Sequence, residues 1–236
     1  MAFLWSRLVV VPLIALSTAI CAVISSVVAL FDSSPPPQLR VAQVWAKSLV
    51  WIAGVKVEVE GLEHVDPKAS YVFASNHLSY MDTPVVLANI PAQFLFLAKE
   101  ELFRIPFMGW HLKRAGHVPV PLENPRGALR TLGHAAKLLR AGRSTFIFPE
   151  GGRSATGKLD SFTDGAAFLA IRAHVPMVPV ALIGTFEVLP MGSLTFHRGK
   201  VRVRIGAPIP TEALTTHQRT ELTAAVRQKI VEMLGK

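Results

Sequence analysis

The 236-residue sequence contains a single cysteine, Cys21. One thiol forms no internal disulfide, so a cross-linked framework of the secreted kind is excluded. Cys21 lies inside an apolar stretch and reads as a small buried hydrophobe. There is no cysteine cluster and no H-E-x-x-H, which leaves a zinc site without support. No G-x-S-x-G occurs, which argues against an α/β-hydrolase serine. Acids are scarce, with 16 Asp and Glu against 25 Lys and Arg and a formal net charge of +9. That imbalance favours an anionic partner. The aromatics fall in apolar runs rather than among the basic residues, and no zinc-finger or RRM signature is present. Nucleic acid is therefore a poor fit, and an acidic membrane surface a better one.

What the sequence does have is a long uncharged run. Leu8 to Phe31 spans 24 residues, of which 14 are Leu, Ile, Val or Phe. As a helix it would measure about 36 Å, enough for a hydrocarbon core of about 30 Å. Ser17, Thr18, Ser25 and Ser26 subtract little, because their hydroxyls can bond the preceding turn. A single Arg7 before the run, the length of the run and the lack of a small-x-small site favour an anchor over a cleaved signal. Arg40 and Lys47 follow the run, against one arginine before it, which places the main domain in the cytoplasm. In a bacterium the membrane would be the inner one. Asp32 to Pro37, with three prolines, reads as a turn. Leu39 to Ile52, with Trp45 and Trp51, reads as a helix suited to the interface. Residues 1–53 thus form a membrane anchor, either one spanning helix or a helical pair, and residues 54–236 a second domain.

That domain alternates strand and helix patterns. Val55–Val59 alternates strictly, while Tyr71–Ser75, Phe94–Leu97, Ser144–Phe148 and Met177–Ile183 are short apolar runs. Helical patterns cover Pro84–Ile90, Arg126–Leu139 and Asp164–His174. The expected class is α/β, a mixed and largely buried sheet flanked by helices. Leu194–Phe196 and Val201–Ile205 predict a hairpin, and Thr211 a cap for a closing helix that ends near Leu234 before Gly235.

Two stretches after apolar strands carry chemistry. In Asn76-His77-Leu78-Ser79-Tyr80-Met81-Asp82, residues 77 and 82 would point about 140° apart on a continuous helix. They meet only if the chain turns between them, and Asp82-Thr83-Pro84 suits a helix start just there. A carboxylate beside an imidazole fixes its tautomer and stabilises the imidazolium. The same residues also fit a plain reading: Asp82 as a helix cap and His77 as a polar residue at a strand end. The second stretch, Phe148-Pro149-Glu150-Gly151-Gly152-Arg153-Ser154, pairs two glycines that permit close backbone approach with an arginine fork suited to phosphate. Glu150 either accepts a substrate hydroxyl, orients Arg153, or simply pairs with it. The seven other histidines are scattered and read as surface or core residues.

Taken together, and in this order, the stretches resemble the lysophosphatidic acid acyltransferase family, the PlsC-type glycerolipid acyltransferases. Asn76, His77 and Asp82 match the family's N-H-x-x-x-x-D block. Lys99-Glu100-Glu101-Leu102 with Pro106-Phe107-Met108-Gly109-Trp110 is similar to the second block, Phe148–Ser154 to the third, and Val178-Pro179-Val180-Ala181 to the fourth. The similarity covers roughly residues 60–210, and four blocks in register are far more specific than any one. Two departures stand out: Gly152 where the family often has threonine, and Gly116–Pro121 with no arginine at its end. The resemblance implies a phospholipid-biosynthetic enzyme that moves a fatty acyl group from acyl carrier protein or coenzyme A onto 1-acyl-glycerol-3-phosphate. His77 would be the base and Asp82 its partner. Asn76, Lys99, Glu150, Gly151, Gly152 and Arg153 would bind substrate, with no metal or prosthetic cofactor. The alternatives are an acyltransferase for another lysolipid, such as a lyso-aminolipid, and a lipid-binding protein without turnover.

Overall fold

The computed structural model of the chain describes residues 2–32, 34–121 and 124–235. The N-terminal apolar run is helical from Phe3 to Phe31, with mean hydropathy 2.5. It comprises α1 (Ala2–Trp5), a π-type turn at Ser6–Val10 and α2 (Val11–Phe31). Ser25 is the one buried residue within α2. The three prolines do not form the expected turn. They open α3 (Pro35–Ile52), where the first N–H groups have no helical partner to lose. Of the residues expected in that turn, Ser33 lies outside the described set. α2 and α3 are joined by polar side chains: Ser17 to Ser48 at 2.6 Å, Trp45 Nε1–H to Thr18 Oγ1 at 3.1 Å, and Ser25 to Gln38 Oε1 at 2.6 Å.

The α/β expectation holds. After α3 come β1 (Val55–Glu60), β2 (Val72–Ser75), α4 (Asp82–Asn89), β3 (Phe94–Lys99), α5 (Met108–Arg114) and β4 (Val118–Val120). Then follow α6 (Pro125–Arg140), β5 (Ser144–Ile147), α7 (Gly165–Ala173), β6 (Met177–Ile183), α8 (Thr185–Val188), β7 (Gly199–Ile205) and α9 (Arg219–Leu234). The strands form one sheet in the order β1-β7-β6-β2-β5-β3-β4. Five neighbouring strands from β6 to β4 are parallel, and β7 with β1 runs the opposite way. One apolar cluster joins Phe73, Phe94 and Phe146 to Ala46 and Val50 of α3 and Val85 and Val86 of α4. The other joins Val72 and Ala74 to Leu139 of α6, Leu169 of α7 and Val226 of α9. The sheet is thus covered on both faces, as parallel strands require. The expected boundary after residue 53 falls in the short link between α3 and β1.

Two local expectations are corrected. Leu194–Phe196 is not a strand and makes no hairpin. Its backbone is met instead by Ser6, whose Oγ donates to Leu194 O and accepts from Phe196 N–H, both at 2.9 Å. β7 pairs with β1 and β6. Thr211 caps no helix; it is buried and donates to Val175 O at 2.8 Å. α9 is introduced by a capping box at Thr215 and Gln218, and it ends as expected at Gly235, in the left-handed conformation.

Candidate active site

The carboxyl ends of the parallel strands share one edge, where α/β folds place their sites. β2 ends at Ser75 and delivers His77 there, while β5, its neighbour, delivers Phe148 to Ser154. The chain turns after His77. Ser79 Oγ donates to Leu189 O at 2.8 Å and accepts Met81 N–H at 3.1 Å, and Asp82 N–H reaches Ser79 O at 3.3 Å. Asp82 then begins α4. The turn brings the two five-apart residues together: His77 Nδ1 lies 2.7 Å from Asp82 Oδ2.

Asp82 does not cap α4. Its Oδ2 faces backwards and also accepts the N–H groups of Leu78 and Ser79, at 2.7 and 2.8 Å. One oxygen at the amino end of a helix thus takes two backbone N–H groups and faces the imidazole, in a residue that is fully buried. A carboxylate only accepts, so the ring proton sits on Nδ1 and Nε2 carries a free lone pair. The ring of Phe148 lies flat against the imidazole, with centroids 3.8 Å apart and planes 12° from parallel. His77 is 8% exposed.

The glycine-containing stretch holds the histidine by its backbone. Glu150 Oε1 accepts His77 N–H at 2.6 Å, and Ser154 N–H donates to His77 O at 2.8 Å. Glu150 Oε2 accepts Asp160 N–H at 2.8 Å. Glu150 therefore neither orients Arg153 nor pairs with it. Burial raises its pKa above the ordinary value, against the lowering effect of those two amide bonds. Arg153 is exposed, and its guanidinium lies over the Tyr80 ring, 4.1 Å from the centroid. Tyr80 and Phe148 are the partners that sequence reasoning did not single out. The one sign of each was an aromatic inside a polar motif. Gly151 has φ +75°, which a side chain would strain, whereas a Cβ at Gly152 meets nothing within 4 Å. A threonine at 152 would fit.

Asn76 is drawn inward. It has no exposed surface, and its amide donates to Leu182 O at 2.9 Å while accepting Leu182 N–H at 2.8 Å. Both ends of the side chain are taken up in tying the end of β2 to β6, so it faces no ligand. Lys99 ends β3, exposed and on the same edge. It stands two strands from β2, about 10 Å away at the usual strand spacing. The structure thus gathers His77, Asp82 and Glu150, sets Arg153 at the rim, and leaves Lys99 apart.

A base hydrogen-bonded to a buried carboxylate, with its other nitrogen bonded to none of the described residues, is equipped to take a proton from a hydroxyl. The class of protein follows from comparison with known families. The family model described as Acyltransferase matches residues 56–183, and the chain belongs to that family. Particular relatives narrow the likeness. A chloroplastic 1-acyl-sn-glycerol-3-phosphate acyltransferase of Arabidopsis thaliana is 38% identical over 72% of this chain and 48% of its own length. A Brassica napus counterpart is 35% identical over 72% of this chain and 49% of its own. The chain thus spans about half the length of these two plant relatives. A 1-acyl-sn-glycerol-3-phosphate acyltransferase of Borreliella burgdorferi is 31% identical over 80% of this chain and 75% of its own. The crystal structure of the 1-acyl-sn-glycerophosphate acyltransferase PlsC from Thermotoga maritima superposes with a TM-score of 0.84 at 27% identity, covering 100% of this chain and 97% of that one.

Proposed function

We propose that the protein transfers a fatty acyl group from an acyl thioester to the free hydroxyl of 1-acyl-glycerol-3-phosphate, forming phosphatidic acid. The observation that carries this is the His77–Asp82 bond at 2.7 Å, with Nε2 left as the acceptor. The names of the relatives supply the substrate class. His77 Nε2 takes the proton as the glycerol oxygen attacks the thioester carbonyl, and the thiol leaves. The thioester is already activated, so no covalent nucleophile, metal or prosthetic group is called for. Asp82 holds the tautomer and stabilises the imidazolium. Phe148, Glu150 and Ser154 fix the ring and its backbone, which keeps the lone pair on line with the hydroxyl. Arg153, held over Tyr80, meets the acceptor's phosphate. The donor is acyl carrier protein or coenzyme A, and an acidic carrier suits the +9 chain.

The acceptor is a membrane lipid. The helix Phe3–Phe31 is the one segment among the described residues long and apolar enough to cross a bilayer. In this reading it holds the site at an anionic membrane surface, with the domain in the cytoplasm. A second acceptor, another lysolipid, is favoured by one observation: Gly116–Pro121 ends without the arginine seen in the family pattern.

The test is transfer of labelled acyl groups to lysophosphatidic acid in liposomes by wild type and His77→Ala. Product from the wild type and a loss of about 10²–10⁴-fold in the variant are expected. Equal rates would refute the role of His77. Product with a lyso-aminolipid alone would move the reading to the second acceptor.

A further inference from the structure

The chain leaving β3 at Lys99 crosses to β4, which runs parallel to β3, so Ile105–Met108 lies at the same sheet edge as His77. Here the backbone does something costly. Phe107 has φ +62° and ψ −52°, and Met108 N–H donates to Pro106 O at 2.7 Å. This is a three-residue γ-turn with positive φ, a rare and strained form. It turns the Phe107 side chain into the open, 73% exposed. Ile105, Met108 and Trp110 are 44%, 48% and 38% exposed. Four large apolar side chains within six residues therefore stand open to water. The knuckle is not loose: a Cβ on Gly109 would collide with the Phe103 carbonyl, so the chain is pressed close there.

We propose that this knuckle, Ile105 to Trp110, is a second membrane-inserting element, seated in the lipid beside α2. Three observations select a bilayer as the occupant. First, the knuckle is fixed beside the apolar helix: His111 Nδ1 sits 2.8 Å from Ser25 Oγ, which fastens α5 to α2. Secondly, α2 leaves Val27, Leu30 and Phe31 bare on its own flank. Thirdly, the inner end of the knuckle has interfacial chemistry. The Arg114 guanidinium lies over the Trp110 ring, 3.5 Å from its centroid, with Lys113 beside it. Aromatic and basic side chains together favour the headgroup level. Insertion would remove the exposed apolar area of these side chains from water. Two points of attachment also fix the tilt of the domain, where one helix leaves it free to pivot. The His77 edge then faces the leaflet.

The inference rests on the reading of a lipid acceptor, but its test does not use acyl transfer. In full-length protein carrying Cys21→Ser, Phe107→Cys is labelled with an environment-sensitive fluorophore and mixed with phosphatidylcholine–phosphatidylglycerol vesicles. Met108→Cys serves as a second site, and Lys137→Cys on α6 as the control. The expected result is a blue shift at 107 and 108, with quenching by spin-labelled acyl chains, and neither at 137. Emission at 107 and 108 unchanged by vesicles would overturn the proposal. So would a blue shift that lipid-borne quenchers do not touch, which would assign the knuckle to a contact between proteins.

Discussion

Replacing Asp82 by Asn separates charge from shape. The carboxylate oxygen facing His77 accepts three N–H groups, one from the imidazole and two from the backbone. An amide oxygen in its place can accept the same three, so the turn survives. What disappears is the negative charge that stabilises the imidazolium formed during proton transfer. Two unit charges about 4 Å apart in a medium of effective dielectric about 20 attract by roughly 4 kcal/mol. Losing that from the transition state lowers kcat by about 10³. Asp82→Ala should cost activity and stability together, because it leaves the buried Leu78 and Ser79 N–H groups without an acceptor, at about 1–3 kcal/mol each. The assay is kcat on liposome-borne acceptor, with thermal unfolding of both variants. An Asp82→Asn enzyme within tenfold of wild type would refute the charge argument.

Glu150→Gln sets an amide N–H against one of the two backbone N–H groups that the carboxylate accepts. A penalty of about 1–3 kcal/mol should lower kcat roughly 5- to 160-fold, and Glu150→Ala, which leaves both N–H groups without that acceptor, at least as much; side-by-side kinetics check it. Phe148→Leu removes the flat surface under the imidazole. An aromatic contact worth about 0.5–1.5 kcal/mol predicts a fall of about 2- to 12-fold in kcat with little change in KM. His117 is buried, accepts Phe96 N–H at 3.0 Å, and has its pKa lowered from 6.5 to about 3 by burial and then by His111. The unfolded chain therefore binds the extra proton between those values. Stability is full above pH 6.5 and falls as pH drops toward 3. His117→Gln, which keeps an acceptor, should unfold with a flatter pH dependence over that range, and melting curves at stepped pH would show it.

The parts of the fold that could be read from the chain are those decided locally. Met177–Ile183 is a run of apolar residues between breakers, and it is a strand over those very residues. Thr83-Pro84 marks a helix start that allows a turn between His77 and Asp82, but the residues alone fit a plain cap as well, and it was the four blocks in register that singled the pair out. What escaped was decided by distant partners. β4 carries Pro119, which removes a donor, and it survives as a strand only because it lies at the sheet's edge. Leu194–Phe196 has strand-like residues, but a serine near the other end of the chain satisfies its backbone first. Asn76 reads as a ligand group in the motif, and only the position of Leu182 across the sheet shows it to be a tie. Glu150 and Arg153 are charges of opposite sign in one short loop. The amides of His77 and Asp160 and the ring of Tyr80 keep them apart.

The clamp on His77 also sets when in the life of the chain a working base exists. Its amide hydrogen is held by a residue 73 positions downstream. At about 5–20 residues per second, roughly 4–15 s of synthesis separate the two. A nascent or truncated chain that stops short of Glu150 already contains His77, Asp82 and the apolar helix. It lacks Glu150 and Ser154, and with them both backbone ties. The backbone hold on the imidazole thus becomes available only after the segment suited to a membrane has been made.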